Sequence, residues 1–147
     1  MTIKLVPIDF KDVNFLDKTE YKDLPLAKRE ELIKDSILGE KDGKVFKFCI
    51  IKIDDSAVGV INFCGHSKRV FSVAPYILEE YRNKGYAFLS LRYCYKKAKK
   101  HGYKTVVADI VEDNIKRQNL HLKLGFEYIR SYKSKSGKDL RLYIKNL

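Results

Sequence analysis

Apolar and polar residues alternate in short segments over the first half of the chain, a pattern that is typical of strands buried on one face. A short segment of this kind lies at 3–8, and longer ones follow at 45–53, 57–64 and 69–78. The polar loop between 45–53 and 57–64 predicts a β-hairpin. In the segment 20–38, leucines and isoleucines recur among charged residues at the helical period instead, which predicts one or two amphipathic helices.

Helical and strand patterns alternate over the second half. Apolar residues recur at helical spacing in 84–100, and Ser90 and four lysines fall on the opposite face of that predicted helix. The remaining predicted elements are a strand at 105–111, a helix at 114–124, and two strands at 126–133 and 140–144. This order predicts a single α+β domain over residues 1–147, with a mixed sheet and a right-handed crossover that places the 84–100 helix over the sheet.

Composition indicates a folded chain without membrane spans or disulfides. Apolar residues make up 45% and charged residues 33%, which is typical of a globular protein. No apolar run is long enough to cross a bilayer and the start lacks a signal-peptide pattern, so a cytoplasmic location is expected. The three cysteines are widely spaced and no His or Cys spacing matches a metal site, which predicts three buried, reduced thiols and no bound metal.

Positive charge is concentrated in the second half of the chain. The net charge is +11; residues 1–81 carry 13 Lys or Arg against 14 Asp or Glu, whereas residues 82–147 carry 17 against 5. Such a region attracts anions, for example nucleic acid, a phosphorylated cofactor or an acidic surface. The plainer interpretation of most of these lysines is a solvated surface.

The pattern R-x-x-G-x-A stands where the strand at 69–78 leads into the helix at 84–100. Its residues are Arg82, Asn83, Lys84, Gly85, Tyr86 and Ala87. A helix N-terminus with free N–H groups, a glycine, a small residue and flanking cations can bind phosphate or pyrophosphate. Alone, the pattern also fits an ordinary turn from a loop into a helix.

A second motif strengthens the first. Asn114 follows the strand at 105–111, and the helix after it closes in Leu124-Gly125-Phe126. Together the two motifs resemble the GNAT superfamily of acyl-CoA N-acyltransferases over about residues 45–145. The final segment resembles the last hairpin of family members that acetylate the N-termini of ribosomal proteins. The resemblance implies the GNAT fold, a central mixed, splayed β-sheet of about six or seven strands flanked by about four helices.

The resemblance also implies a site for acetyl-CoA. The R-x-x-G-x-A residues would hold its pyrophosphate, and Asn114 would bond the pantetheine arm. Backbone groups on the other side of the arm would come from Tyr76, Ile77 and Leu78, as in an added strand. Pro75 cannot donate to a β-ladder, which fits the place where the family's sheet splays open. The candidates for neutralising the cofactor phosphates are Lys84, Arg117 and Lys123.

Amine attack on a thioester can use a base for the amine proton and an acid for the leaving thiolate. Many family members place a tyrosine acid seven residues after the Asn, and His121 stands there. His121 is either that acid or a structural helix residue, with the thiolate leaving unaided. Some N-terminal acetyltransferases place a Glu base five residues before the Asn, and Asp109 stands at that position. Partial burial of Asp109 in the strand would raise the pKa of its carboxyl group. Another family position for a base holds Ser72, which cannot serve alone.

These features predict an acetyl-CoA-dependent N-acetyltransferase acting on a primary amine: a protein N-terminus, a lysine, an aminoacyl group or a small amine. A ribosomal protein or an aminoacyl-tRNA is a candidate acceptor partner, no membrane partner is expected, and the sequence leaves homodimer formation open. One alternative is a GNAT-fold sensor that binds acyl-CoA without catalysis. The other is a basic RNA-binding module, although the aromatic residues fall mostly at apolar periodic positions, as core residues do.

Overall fold

A single eight-stranded mixed sheet organises the chain in the computed structural model, which describes all residues from 1 to 147. The strands are β1 (Ile3–Pro7), β2 (Glu40–Lys41), β3 (Lys44–Ile53), β4 (Ser56–Gly65), β5 (Val70–Ile77), β6 (Thr105–Val111), β7 (Glu127–Lys133) and β8 (Asp139–Asn146). The α-helices are α1 (Leu26–Leu38), α2 (Tyr86–Lys100) and α3 (Ile115–Lys123), and two 3₁₀ helices span Phe10–Lys18 and Glu79–Tyr81.

The strand order is β1-β3-β4-β5-β6-β8-β7, and β2 pairs with the start of β3. Every neighbouring pair is antiparallel except β5 and β6, which are parallel. Because a parallel pair needs a crossover, the chain passes through α2 between these two strands. This one parallel junction is where the sheet opens.

Two separate cores cover the two faces of the sheet. Leu91, Cys94, Tyr95 and Ala98 of α2 pack with side chains of the central strands on one face. On the other face, residues of the first 3₁₀ helix and α1 pack against Phe46, Phe48, Ile50 and Val60. The alternation of side chains along a strand produces this division, so β3 and β4 contribute buried residues to both cores.

The predicted fold class and most predicted elements are confirmed, since seven longer strands and four longer helical segments occur in the predicted α+β order. The helix predicted within 20–38 is α1, whereas the 3₁₀ helix at Phe10–Lys18, where Asp9 and Asp12 form a capping box, was not predicted. Ser90 was wrongly assigned to a polar face, because it is fully buried and its hydroxyl donates to the Tyr86 carbonyl at 2.7 Å. The cysteines are free thiols, and only Cys94 is buried.

Candidate active site

A cleft opens where β5 and β6 separate. The two strands pair only at Val70 with Thr105 and at Phe71 with Val106. Beyond these positions a cleft of about 440 Å³ lies between the end of β5, the loop after it, and the first turns of α2 and α3. Its lining includes Tyr76, Ile77, Arg82, Asn83, Gly85, Tyr86, Ala87, Asn114, Arg117 and Lys123. Of the predicted cofactor residues, only Leu78 and Lys84 lie outside it.

Only one of the three predicted backbone positions at the end of β5 and just after it offers an amide to the cleft. The Leu78 N–H donates to the Val58 carbonyl at 2.8 Å, and the Leu78 carbonyl accepts from the N–H of Tyr81. Because antiparallel ladders alternate and Tyr76 faces Val60, the backbone of Tyr76 also points toward β4. Of the three residues, Ile77 alone turns its N–H toward the opening, and Tyr76 and Leu78 use their N–H groups in the pairing with β4.

Neighbouring groups hold the end of β5 in place. The Arg82 Nε donates to the Ile77 carbonyl at 2.9 Å, and the Arg82 guanidinium lies 5.2 Å from the centre of the Tyr76 ring. The backbone nitrogen of Pro75 faces the opening between β5 and β6. No neighbouring strand lies there to accept a hydrogen bond from an N–H. This explains why the strand tolerates a proline.

The first turn of α2 presents unpaired amides to the cleft. Gly85 precedes the helix with φ 80° and no side chain caps the turn, a conformation that favours glycine. The first helical bond runs from Leu89 N–H to the Gly85 carbonyl at 3.0 Å. The N–H groups of Tyr86, Ala87 and Phe88 therefore have no partner within the protein. A Cβ at Gly85 would meet no atom within 4 Å, so an anion can reach these amides.

Cations surround this turn. Lys116 Nζ donates to Asn83 Oδ1 at 3.0 Å and ties α3 to the loop before α2. Lys123 lies over the Phe88 ring at 5.2 Å, at the edge of the cleft. Lys84 instead lies over the Tyr81 ring at 5.8 Å, outside the cleft. Arg82, Lys116, Arg117 and Lys123 are thus the cations that a bound anion would meet.

Asn114 lies across the cleft from β5 as the N-cap of α3. Its Oδ1 accepts from the Arg117 N–H at 3.1 Å, which is the usual use of an Asn at this position. Because the oxygen is engaged and the side chain lines the cleft, the amide NH₂ is the group left to donate to a ligand.

His121 is a core residue in this structure. Its side chain is 1% exposed and does not line the cleft. Its Nδ1 donates to the Arg117 carbonyl at 2.8 Å, and its ring packs edge-on against Phe126 with 4.8 Å between centroids. Burial lowers the pKa of His121. A neutral, enclosed imidazole favours the structural role over that of an acid for a thiolate in the cleft.

Asp109 is exposed, so the expected partial burial in its strand is wrong. Strand alternation explains the difference: Ala108 and Ile110 are buried on one face, and Asp109 projects from the other. The Tyr132 hydroxyl donates to Asp109 Oδ1 at 2.5 Å, and this bond raises the pKa of Tyr132. The carboxylate is thus held by a side chain of β7, from across β8, on the face of the sheet opposite α2.

A model of the acetyltransferase (GNAT) family matches residues 10–126, most of the chain. This chain belongs to the GNAT acetyltransferase family. A comparison with curated proteins found no match. The family assignment confirms the predicted superfamily, the predicted acetyltransferase activity and the predicted donor, acetyl-CoA.

Solved structures share the fold of this GNAT acetyltransferase along its whole length. One is the acetyltransferase from Salmonella typhimurium that modifies the N-terminal serine of ribosomal protein L7/L12, with a TM-score of 0.85, 15% identity and coverage of 100% of this chain and 96% of that one. A spermidine N-acetyltransferase chimera that includes Vibrio cholerae SpeG has a TM-score of 0.84 and 12% identity, over 99% and 96% of the chains. The ribosomal-protein-alanine N-acetyltransferase from Brucella melitensis has a TM-score of 0.76 and 19% identity, over 100% of both chains.

Polar groups that the sequence did not reveal lie near Arg117 and Tyr21. Burial lowers the pKa of Arg117, whereas the carboxylates of Glu20 and Asp109 act to raise it, so both acids lie within electrostatic reach of the guanidinium. Tyr21 accepts a hydrogen bond from Asn62 Nδ2 at 3.0 Å; its burial, then the Glu20 charge, raise its pKa to about 12. No motif marks these positions, because Glu20 precedes α1 and Asn62 lies in mid-strand.

The GNAT domain shows neither a cluster of metal-binding side chains nor a helix that could span a membrane. No group of three or more His, Cys, Asp or Glu side chains is placed to hold a metal ion. No helix is both long enough and apolar enough to span a membrane.

Replacing His121 tests its structural role. We expect His121→Ala to keep acetyl transfer within about twofold of wild type while lowering the free energy of unfolding by about 1–3 kcal/mol, because a packed side chain is lost. Thiol release and urea denaturation measure the two effects. His121→Tyr provides a second variant: a loss of roughly 10²-fold or more in His121→Ala that His121→Tyr restores would identify His121 as the catalytic acid.

Acid is expected to destabilise the folded chain partly through two histidines whose pKa values are lower in the folded state, the buried His121 and the exposed His66. Desolvation lowers the pKa values of His121 and His66 below 6.5 in the folded state, so below about pH 6.5 the unfolded chain binds more protons. The free energy of unfolding should therefore fall as the pH drops through that value. Urea denaturation at about pH 7 and about pH 5 should show a smaller fall in His121→Gln than in wild type. An equal fall would contradict the assignment, and His101→Gln is the matched control.

Proposed function

We propose that this chain transfers the acetyl group of acetyl-CoA to the primary amine of a protein N-terminus. The observation that carries the proposal is the cleft between β5 and β6, which combines the unpaired amides of the first turn of α2 with four cations. These groups suit a pyrophosphate. The Ile77 N–H and the Asn114 NH₂ project from opposite walls and suit the amides of a pantetheine arm.

The chain's own residues have a limited role in the chemistry. Acetyl-CoA supplies an activated acyl group; as the amine nitrogen forms the new C–N bond, the C–S bond breaks and the thiolate leaves. Asp109 is the candidate to receive the amine proton, directly or through a water, with Tyr132 holding its carboxylate in place. Because His121 is enclosed in the core, we assign no protein acid to the thiolate, which is stable enough to leave unaided.

The charges near the acceptor side suit an amine that arrives as an ammonium ion. Glu20 and Asp109 both lie within electrostatic reach of Arg117, and two carboxylates attract a cation while one of them can accept its proton. Similarity to two ribosomal-protein N-acetyltransferases over the full length supports a peptide N-terminus. A polyamine is the second candidate, supported by the spermidine enzyme with nearly the same TM-score. A cytoplasmic location is part of the proposal.

A thiol-release assay tests the proposal with acetyl-CoA and three acceptors: a peptide with a free N-terminus, the same peptide with its N-terminus blocked, and spermidine. We expect release with the free peptide only. Release with spermidine alone would mean that the acceptor is a polyamine and not a peptide N-terminus. Binding of acetyl-CoA without turnover on any amine would favour the non-catalytic sensor and overturn the proposal.

A further inference from the structure

A second polar hollow lies at the far end of the molecule from the N-terminus of α2. It has a volume of about 470 Å³ and is lined by parts of three elements: the β2–β3 turn, the β4–β5 loop and the segment after α2. Its polar lining consists of His66, Ser67, Lys68, His101 and Tyr103, and none of the lining residues is acidic. The hollow is adjacent to the Val70–Thr105 pairing, where β5 and β6 are still joined.

Exposed cations lie in these segments or directly beside them in the chain. We call them the basic end surface: Lys44, Lys68, Arg69, Lys99, Lys100 and Lys104. Backbone bonds hold the segments together, since the N–H groups of Lys104 and Thr105 both donate to the Arg69 carbonyl, at 2.8 and 3.0 Å. Lys44 Nζ also donates to His66 Nδ1 at 3.3 Å. None of the six forms a salt bridge.

The acetyl-CoA cleft does not account for these cations. The basic end surface adjoins the C-terminal end of α2, whereas the unpaired amides lie at its N-terminal end, roughly 20 Å away for a helix of this length. The helix dipole favours Lys99 and Lys100 in the last turn, but Lys44, Lys68 and Arg69 belong to other elements. Moreover, no acidic residue occurs from 81 to 108 or from 56 to 78.

We propose that the basic end surface binds the phosphate backbone of RNA. Six unpaired cations around an acid-free hollow match a polyanion, and the Tyr103 hydroxyl provides a further donor for phosphate oxygens. An anionic membrane fits less well, because membrane-binding surfaces place apolar side chains beside the cations. Among the strongly exposed large apolar residues, only Val45 lies at this hollow.

The basic end surface also lies close enough to Asp109, the proposed base, to bring an acceptor that is associated with RNA to it. His66 connects the two regions, because its Nε2 donates to Ser72 Oγ at 2.8 Å, and Ser72 and Asp109 lie on neighbouring strands beyond the last paired positions. Thr105 at the basic end and Asp109 are roughly 13 Å apart along β6. The proposal concerns RNA affinity alone and does not depend on the proposed acetyl transfer.

The test measures the affinity of a fluorescein-labelled RNA hairpin by anisotropy over a series of salt concentrations. We expect the double variants K68Q/R69Q and K99Q/K100Q each to weaken binding by roughly tenfold at about 0.1 M salt. Each should also lower the slope of log affinity against log salt by about 1 to 2, since each lost phosphate contact removes nearly one unit. K11Q/K18Q removes the same charge from exposed lysines of the first 3₁₀ helix, and it should change affinity by less than about twofold.

Competition by CoA and the acetyl-CoA thermal shift serve as two controls for this test. Saturating CoA should leave RNA bound, and the thermal shift caused by acetyl-CoA should be the same in all the double variants, which shows that they fold. Displacement of RNA by CoA would place the RNA in the cleft and overturn the proposal. Equal weakening by K11Q/K18Q, or no salt-dependent binding by wild type, would also overturn it, as would tighter binding to phosphatidylserine vesicles than to RNA.

Discussion

Gly85→Glu is expected to abolish acetyl-CoA binding. A ligand at about 100 times its Kd stabilises the folded state by about 2.7 kcal/mol, which corresponds to a Tm increase of roughly 5–10 °C for a chain of this size. Glutamate at position 85 would place a negative charge beside the unpaired amides of Tyr86 and Ala87, where the pyrophosphate must approach. The variant should therefore show no Tm shift with acetyl-CoA, as measured by differential scanning fluorimetry.

Gly102→Glu is the matched control for this experiment. Gly102 has φ 93° and Gly85 has φ 80°, and a Cβ meets no atom within 4 Å at either position. Both variants thus carry the same added charge and a similar backbone cost of about 1 kcal/mol. Gly102 follows the C-terminal end of α2, so its variant should keep the full shift. A full Tm shift in Gly85→Glu would show that the first turn of α2 does not bind acetyl-CoA.

The features that sequence predicts well here are those that local chemistry determines. Gly85 is needed because the chain enters α2 with positive φ, and Asn114 is needed because α3 begins there with a side-chain cap. Each depends on a few consecutive residues. The separation of β5 from β6 was also predictable, because Pro75 lacks the N–H that a paired strand would use.

Features that depend on strand pairing or on distant contacts were not predictable from local pattern. Which of Tyr76, Ile77 and Leu78 faces the cleft depends on the pairing of Leu78 with Val58 across β4. His121 occupies the position of a catalytic residue in other family members, yet its environment depends on how α3 packs against Phe126. The hydrogen bond from Tyr132 to Asp109 joins residues on strands that are not even neighbours in the sheet.

Asp109→Asn is expected to lower turnover by roughly 10²- to 10⁴-fold, the usual contribution of a general base. The asparagine keeps the size of the side chain and an oxygen that can accept from Tyr132, so the loss should arise from proton transfer. Steady-state thiol release measures kcat, and the acetyl-CoA thermal shift should be unchanged because the cofactor cleft is untouched. Asp139→Asn removes another exposed carboxylate, which pairs with Lys133 in the last hairpin, and should leave kcat within about twofold.

The pH dependence separates the base from a residue that only positions the acceptor. If Asp109 accepts the amine proton, the wild-type rate should fall at acidic pH as the carboxylate is protonated, and Asp109→Asn should lose that limb along with most of its turnover. Tyr132→Phe removes the hydroxyl that orients the carboxylate; we expect a loss of up to about tenfold in kcat with the acidic limb retained. Turnover of Asp109→Asn within about twofold of wild type would assign the base to another group, and Glu20, the other carboxylate near Arg117, would be the next to replace.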